Sequence, residues 1–357
     1  MFSYILRRLL LMLPTLLGVT AVVFFVMALS PGGVGGSLLN ELGTMEANQA
    51  KALRDYYNKR YHLDDPIVFQ YARWLNQISP LGFEPLDDGT LGAFGFKPPH
   101  LGYSFSKGRP VTALYSEALP ITLMLNLLAV PIIYTVAICS GILAARYHGK
   151  LFDVVTGIGF LALWSVPTIW AGVLLIGFLA NKQYFHGFPA GGLSSTMADQ
   201  MSFLPQWADQ GFQRGWLLDR AWHLCLPIAC MIYAGFAFLS KLTRGAVLEN
   251  LSADFARTAR AKGVSDRDVL LRHVFRNSLL PLITVAAGIL PGLLVGSVIV
   301  ESIFSIPGMG KLTIDAIYAR DRELVLAGTL IGGLLSLFCI LLADLAYAVA
   351  DPRVSYD

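Results

Sequence analysis

Charge is scarce in this sequence. Asp, Glu, Lys and Arg make up 14% of its 357 residues, against roughly 25% in soluble domains. With 55% hydrophobic residues and a mean hydropathy of +0.58, the chain reads as an integral membrane protein. Net charge is also small, +3 with a pI of 8.6, which excludes the basic stripe that nucleic acid requires. Cysteines are few, and none lies in a polar loop. Cys139, Cys225, Cys230 and Cys339 all fall inside apolar stretches, which argues against a disulfide framework in exported segments. No pair has metal-ligand spacing beside a histidine, so no metal site is expected and the four read as buried small hydrophobes. There is no His-Glu-x-x-His helix and no Gly-x-Ser-x-Gly elbow, and no repeat or low-complexity tract. Gly308-Met309-Gly310-Lys311-Leu312-Thr313 looks a little like a phosphate loop. That pattern needs Gly where Ser305 stands and Ser or Thr where Leu312 stands. No catalytic residue and no cofactor of the chain's own is expected.

What the chain has is long apolar runs. About 20 apolar residues cross a bilayer as helix, and six runs meet that length: Leu9 to Leu29, Ala118 to Ala145, Val154 to Ala180, Ala221 to Ser240, Asn277 to Val300 and Leu324 to Ala350. Pro120, Pro131, Pro167, Pro227, Pro281 and Pro291 fall in the middle four, as membrane helices tolerate. The first run follows Arg7 and Arg8 and precedes Ala28-Leu29-Ser30, but its 21 uncharged residues exceed a signal-peptide core. It reads as a retained helix. With the N-terminus inside, segments 1–8, 146–153, 241–276 and 351–357 hold 13 of the 27 Lys and Arg in 59 positions. The other 14 spread over about 150 positions, so the basic bias places both termini in the cytoplasm.

The expected fold is an all-α membrane protein with six transmembrane helices. Residues 1–29 form the N-terminus and first helix, 30–117 a sizeable extracytoplasmic segment, and 118–357 the transmembrane core. The core includes an extracytoplasmic loop at 181–220 and a cytoplasmic loop at 241–280. Within 30–117, a polar helix is expected over Ala47 to Tyr61 and another over Val68 to Ile78, where Phe69, Ala72 and Leu75 recur at helical spacing. Pro85 to Pro99 is Gly- and Pro-rich and reads as loop. Trp207, Phe212 and Trp216 suit a membrane interface.

The cytoplasmic loop does not read as a passive connector. Ala253 to Lys262 are nearly all good helix formers. Ala256, Ala259 and Ala261 keep that helix thin, while Arg257, Arg260 and Lys262 charge it. Gly263 suits a left-handed stop. Ser265 with Asp268 resembles a capping box and opens a second helix running to about Leu280. Such a basic helix–Gly–helix suits either a groove on a partner protein or an anionic lipid surface, and composition alone leaves the two readings level.

Arg257-Thr258-Ala259-Arg260-Ala261-Lys262-Gly263 resembles the cytoplasmic loop motif of ABC-importer permeases, Glu-Ala-Ala, three residues, then Gly. Arg257 and Thr258 depart from the general Glu-Ala. With RHVFRNSLLP after it, the loop is similar to the oligopeptide and dipeptide importer branch. The start LRRLLLMLPTLLGV, Leu63-Asp64-Asp65-Pro66, Leu101-Gly102-Tyr103-Ser104, Arg109-Pro110-Val111, Trp164-Ser165-Val166-Pro167, Glu301-Ser302-Ile303-Phe304 with Pro307-Gly308-Met309-Gly310, and Asp351-Pro352-Arg353 also resemble that branch. Two features depart from it: Pro31-Gly32-Gly33 stands where Pro-Gly-Asp is usual, and about 20 residues near Ser79 to His100 look like extra length. Both resemble the subgroup importing larger peptides and peptide-like antibiotics.

The resemblance implies a permease moving peptides by alternating access. It implies as partners a homologous second permease, two cytoplasmic ATPases holding ATP and Mg, and an extracytoplasmic substrate-binding protein. The ATPase-coupling residues are then Ala253, Asp254, Ala256, Arg257, Thr258, Ala259, Arg260, Ala261, Lys262 and Gly263. The alternatives are the same architecture carrying a metal chelate, haem or sugar phosphate, a polytopic intramembrane enzyme, or a simple channel. Glu301 and Asp344 interrupt the last two spans, where a charge costs about 2.5–3.5 kcal/mol. They are possible translocation-path residues, but their places near span ends favour structural hydrogen bonds. His223 likewise suits an interface better than a ligand site.

Overall fold

The computed structural model describes residues 2–29, 51, 55, 58, 64–85, 91–185, 187–208, 211–279, 281–285 and 298–350. Nearly all of the helix expected over Ala47 to Tyr61, the middle of the run Asn277 to Val300, and the C-terminal Asp351-Pro352-Arg353 lie outside these. The described chain is mostly helical. Among the described residues, four helices are long and apolar enough to cross a membrane: Ile5–Leu29, Val111–Arg146, Gly215–Ser252 and Arg322–Leu342. A bent pair raises the number to five. To the mostly helical fold expected, the described residues add three two-stranded antiparallel ribbons. The chain divides into two compact units, residues 2–120 with 312–335 and residues 121–311 with 336–357.

In the first unit, helix Phe2–Leu29 carries a shorter helix, Ile67–Ile78. Pro66 starts the latter by accepting Phe69 N at 2.9 Å, and extended Ser79 before Pro80 ends it. Trp74 and Gln70 form its buried edge. The stretch Pro85 to Pro99, expected as loop, instead supplies strand Leu91–Phe96, paired with Leu81–Pro85 through Leu81↔Phe96 and Phe83↔Phe94. Its glycines had masked the alternating Phe residues that mark a strand. A second ribbon pairs Tyr103–Ser104 with Arg109–Pro110. It is held by Asp321, whose Oδ2 accepts from Ser104 Oγ at 2.6 Å, Ser106 Oγ at 2.8 Å and Ser106 N at 3.1 Å. The other oxygen of Asp321 accepts Leu324 N at 3.3 Å, capping helix Arg322–Ala350. Buried Arg322 lies over the Phe24 ring at 5.4 Å and donates to Gln70 Oε1 and Glu323 Oε1, both at 3.1 Å.

In the second unit, the expected run Val154 to Ala180 is not one helix. Leu151–Ser165 and Thr168–Ala180 meet at 93°. Pro167 has no N–H to give, and it drives Val166 into extended geometry, φ −82 and ψ 119. Tyr233 hydroxyl caps the freed Val166 carbonyl at 2.6 Å. Helix Gly215–Ser252 has 38 residues, about 57 Å of rise against a hydrocarbon core near 30 Å, so the predicted loop residues Lys241–Ser252 extend the span as helix. Gly141 lets it approach helix Val111–Arg146: a Cβ there would sit 2.6 Å from Thr243 Cβ and 2.7 Å from the Ser240 carbonyl. Trp207 and Phe212 face each other across ribbon Gln206–Ala208/Gly211–Gln213, rings 5.5 Å apart. Cys230 is buried, but Cys139 and Cys225 are exposed on apolar helix faces, since a membrane helix need not hide small hydrophobes from lipid.

Candidate functional site

Helix Gly215–Ser252 stops at Ala253, whose extended ψ of 153 turns the chain into the short helix Asp254–Ala261. Its termination is fully specified. Gly263 adopts φ +82, Gly263 N donates to the Arg260 carbonyl at 2.9 Å and Val264 N to the Ala259 carbonyl at 3.2 Å. This is the paired bonding of a Schellman cap. Ser265 then caps the next turn, accepting Asp268 N at 3.2 Å and donating to Asp268 Oδ2 at 2.7 Å. That turn passes into a π-helical stretch, Val269–Val274, and then into helix over 275–279.

The alanines do more than keep the helix thin. Ala256 and Ala259, three apart on one face, are buried with Ala145, Val247, Val269, Leu270 and Val274. Small side chains there let the helix seat closely on its own loop. The opposite face is open. Asp254 and Arg257 pair weakly at 3.5 Å with both largely exposed, and Thr258, Ala261, Lys262 and Gly263 are exposed. Arg260 is partly committed inward, 3.5 Å from Asp266 and 3.5 Å from the Leu251 carbonyl. Sequence reasoning passed over Phe255. It is 39% exposed, the one large apolar group among these side chains, and shares a face with Thr258 and Lys262 by i, i+3 and i+7 spacing. That spacing was the available signal.

The loop is tied back to the span. Asn250 Nδ2 donates to Ser278 Oγ at 3.2 Å, and Ser278 Oγ donates to the Ala246 carbonyl at 3.1 Å. Nearby, Arg244 donates from Nε to Asp153 Oδ1 at 2.5 Å and from NH2 to Asp153 Oδ2 at 2.8 Å, while Gly149 N reaches Asp153 Oδ2 at 2.9 Å. Asp153, Arg244, Lys241 and Trp164 line a cleft of about 710 Å³.

Glu301 is fully buried. Its Oε1 accepts Thr122 Oγ1 at 2.8 Å and its Oε2 accepts Lys311 N at 3.0 Å, while Thr122 Oγ1 accepts Met309 N at 2.8 Å. The carboxylate therefore holds the start of helix Met309–Ala319, where negative charge is favourable. Gly308 and Gly310 leave room for it, since a Cβ at Gly308 would lie 2.5 Å from the Glu301 carboxyl. The Met309 and Lys311 N–H groups of the decoy phosphate loop are thus engaged by side chains. Asp344 lies half-buried in the last helix. His223 sits 3.2 Å from the Gly191 carbonyl and 3.9 Å from Asp219, within a local polar cluster.

The model for the binding-protein-dependent transport system inner membrane component matches residues 137–356. The N-terminal model for binding-protein-dependent transport system membrane components matches residues 1–126. The chain is 34% identical over 357 residues to the oligopeptide transport system permease protein AppB of Bacillus subtilis strain 168, covering 100% of both. It is 30% identical to the peptidoglycan transport system permease protein YejB of Agrobacterium fabrum strain C58, over 100% of this chain and 99% of that one. It is also 30% identical to the dipeptide transport system permease protein DppB of Bacillus subtilis, over 99% and 98%. The chain belongs to the family of binding-protein-dependent transport system inner membrane components.

Proposed function

We infer that this chain is the membrane-spanning permease of an ATP-binding-cassette importer, moving peptides across the bacterial cytoplasmic membrane. The observation that carries this reading is helix Asp254–Ala261. It is seated on the end of a span by its alanine face and presents Asp254, Phe255, Arg257, Thr258 and Lys262 outward. A charged rim around one aromatic anchor suits a groove on a cytoplasmic ATPase. In this reading the chain has six spans with both termini in the cytoplasm. Residues 1–29 supply the first span, 30–117 the extracytoplasmic segment and 118–357 the core. It pairs with a homologous second permease, two ATPase subunits that hold ATP and Mg, and a substrate-binding protein. Closure of the ATPases drives the spans between inward- and outward-open states.

Peptide as cargo follows the relatives, which are named for oligopeptides, dipeptides and peptidoglycan. The test is uptake of a labelled peptide into liposomes holding the assembled complex and its binding protein. Uptake is expected only with ATP and with both ATPases. Equal uptake without them would overturn the importer reading, and ATP-driven uptake of haem or a sugar phosphate in preference to peptide would overturn the cargo.

A further inference from the structure

Helix Ile67–Ile78 lies beside the first span, not beyond its end. Tyr71, on helix Ile67–Ile78, donates its hydroxyl to the Leu17 carbonyl at 2.9 Å and sits 3.0 Å from Thr20 Oγ1. Its ring lies 5.2 Å from Phe24 and 6.0 Å from Phe25. Leu17 is twelve residues before Leu29, the end of the first helix, which is about 18 Å along its axis. Against a hydrocarbon core near 30 Å thick, a group bonded that far down the span is at the level of the bilayer. The other side of helix Ile67–Ile78 carries Val68 and Phe69, 65% and 63% exposed, beside Arg73, whose charge is paired with Asp65 at 2.9 Å. In water such a face is costly; in lipid it is favourable.

The ribbon that follows has the same two-sided character. Asn76 brackets Phe83, accepting its N–H at 2.8 Å and donating to its carbonyl at 2.9 Å. Lys97 Nζ adds a bond to the same carbonyl at 2.8 Å, so its charge is turned inward. Gly82, paired with Gly95, is the buried contact against Asn76 and Lys97. The alternate positions, Leu81 opposite Phe96 and Phe83 opposite Phe94, share the other face. All four are exposed, Phe96 at 83%. Among the described residues that face carries no charge, and it adjoins a helix already at membrane level.

We propose that helix Ile67–Ile78 and the paired strands Leu81–Pro85 and Leu91–Phe96 form a lipid-facing anchor beside the first span. Phe69, Phe83, Phe94 and Phe96 face the acyl chains. The inference rests only on the first helix crossing the membrane, so it stands or falls separately from the transport reading. The test uses the full complex in phospholipid vesicles, with Cys139, Cys225, Cys230 and Cys339 replaced by Ser. Phe69→Cys, Phe94→Cys and Phe96→Cys are spin-labelled one at a time, with Lys107→Cys on the neighbouring ribbon as the aqueous control. Collisions with oxygen, which concentrates in lipid, are expected to exceed those with a water-soluble nickel chelate several-fold at 69, 94 and 96, and the reverse at 107. Dominant nickel collisions at 94 and 96 would overturn the proposal. So would shielding from both probes, in the complex alone or on adding the binding protein, because a protein partner would then cover the face.

Discussion

Replacing Gly263 separates backbone geometry from bulk at the proposed ATPase contact. At φ +82 the residue is in the left-handed region, which costs an L-residue roughly 1–2 kcal/mol. A Cβ there meets nothing within 4 Å, so no clash adds to that cost within the chain. At 1.4 kcal/mol per tenfold, Gly263→Ala should lower the ratio of capped to frayed helix roughly 5- to 30-fold. An eight-residue helix has little stability of its own, so loss of the cap reaches its exposed face directly. Gly263→Val should do worse, since its branched Cβ resists left-handed geometry. Gly263→Asn should do least harm, because asparagine tolerates that region. Asn is larger than Ala, so a purely steric effect on a docked ATPase would reverse their order. The assay is co-purification of the ATPases with the membrane complex, alongside ATP-driven peptide uptake. Membrane insertion should be unchanged in all three. Val behaving as wild type in both readouts, or Asn proving worse than Ala, would refute the cap argument.

Other sites give outcomes of similar clarity. Glu301→Leu keeps volume but leaves the Thr122 hydroxyl and Lys311 N–H without this acceptor; a loss of about 1–3 kcal/mol per buried group should show as a lower melting temperature of the detergent-solubilised complex. Gly310→Ala drives a Cβ into the Val298 backbone, so it should yield little folded protein, and normal yield would contradict the packing. Tyr233→Phe removes the cap on the Val166 carbonyl at the bend and should cost about 1 kcal/mol, read by the same melting assay. Arg244→Lys keeps the charge but loses the paired donors to Asp153, so it should lower the melting temperature too, though less than Arg244→Ala.

Much of this was legible in the sequence, for identifiable reasons. Helix Ile67–Ile78 followed from its 3.6 periodicity, and the Gly263 stop from the one residue that adopts φ +82 without strain. The bend at Pro167 was not legible, because apolar runs are read by composition and the six prolines within them look alike. Pro227 sits inside a continuous helix, whereas Pro167 stands at the break between two, just before helix Thr168–Leu175. The difference is tertiary, since Tyr233 waits on a neighbouring helix to cap Val166. The ribbon Leu81–Phe96 was missed because its glycines signal loop locally, and only their pairing across the strands turns them into a docking face. Glu301 was legible as a charge that must be satisfied but not as the anchor of Met309–Ala319, whose groups lie 8 to 10 residues away and, for Thr122, 179 residues away.

The geometry of the loop also bears on how force would travel through it. A lever confined to Ser265–Leu279 would leave helix Gly215–Ser252 as a passive neighbour. The structure ties the two arms together, with Asn250 bonded to Ser278 and Ser278 bonded back to the Ala246 carbonyl, and with Val247, Ala256, Val269 and Val274 in one buried cluster. Displacing helix Asp254–Ala261 against such packing moves both arms as a block, because close-packed interiors deform little. The softer points are the extended residue Ala253 and the π-helical turn Val269–Val274, where the regular i to i−4 ladder is interrupted. On the importer reading, a push from the ATPase therefore reaches helix Gly215–Ser252 and the helix over 275–279 together. Rotation is absorbed at those two breaks, and little is lost to bending of the 38-residue helix itself.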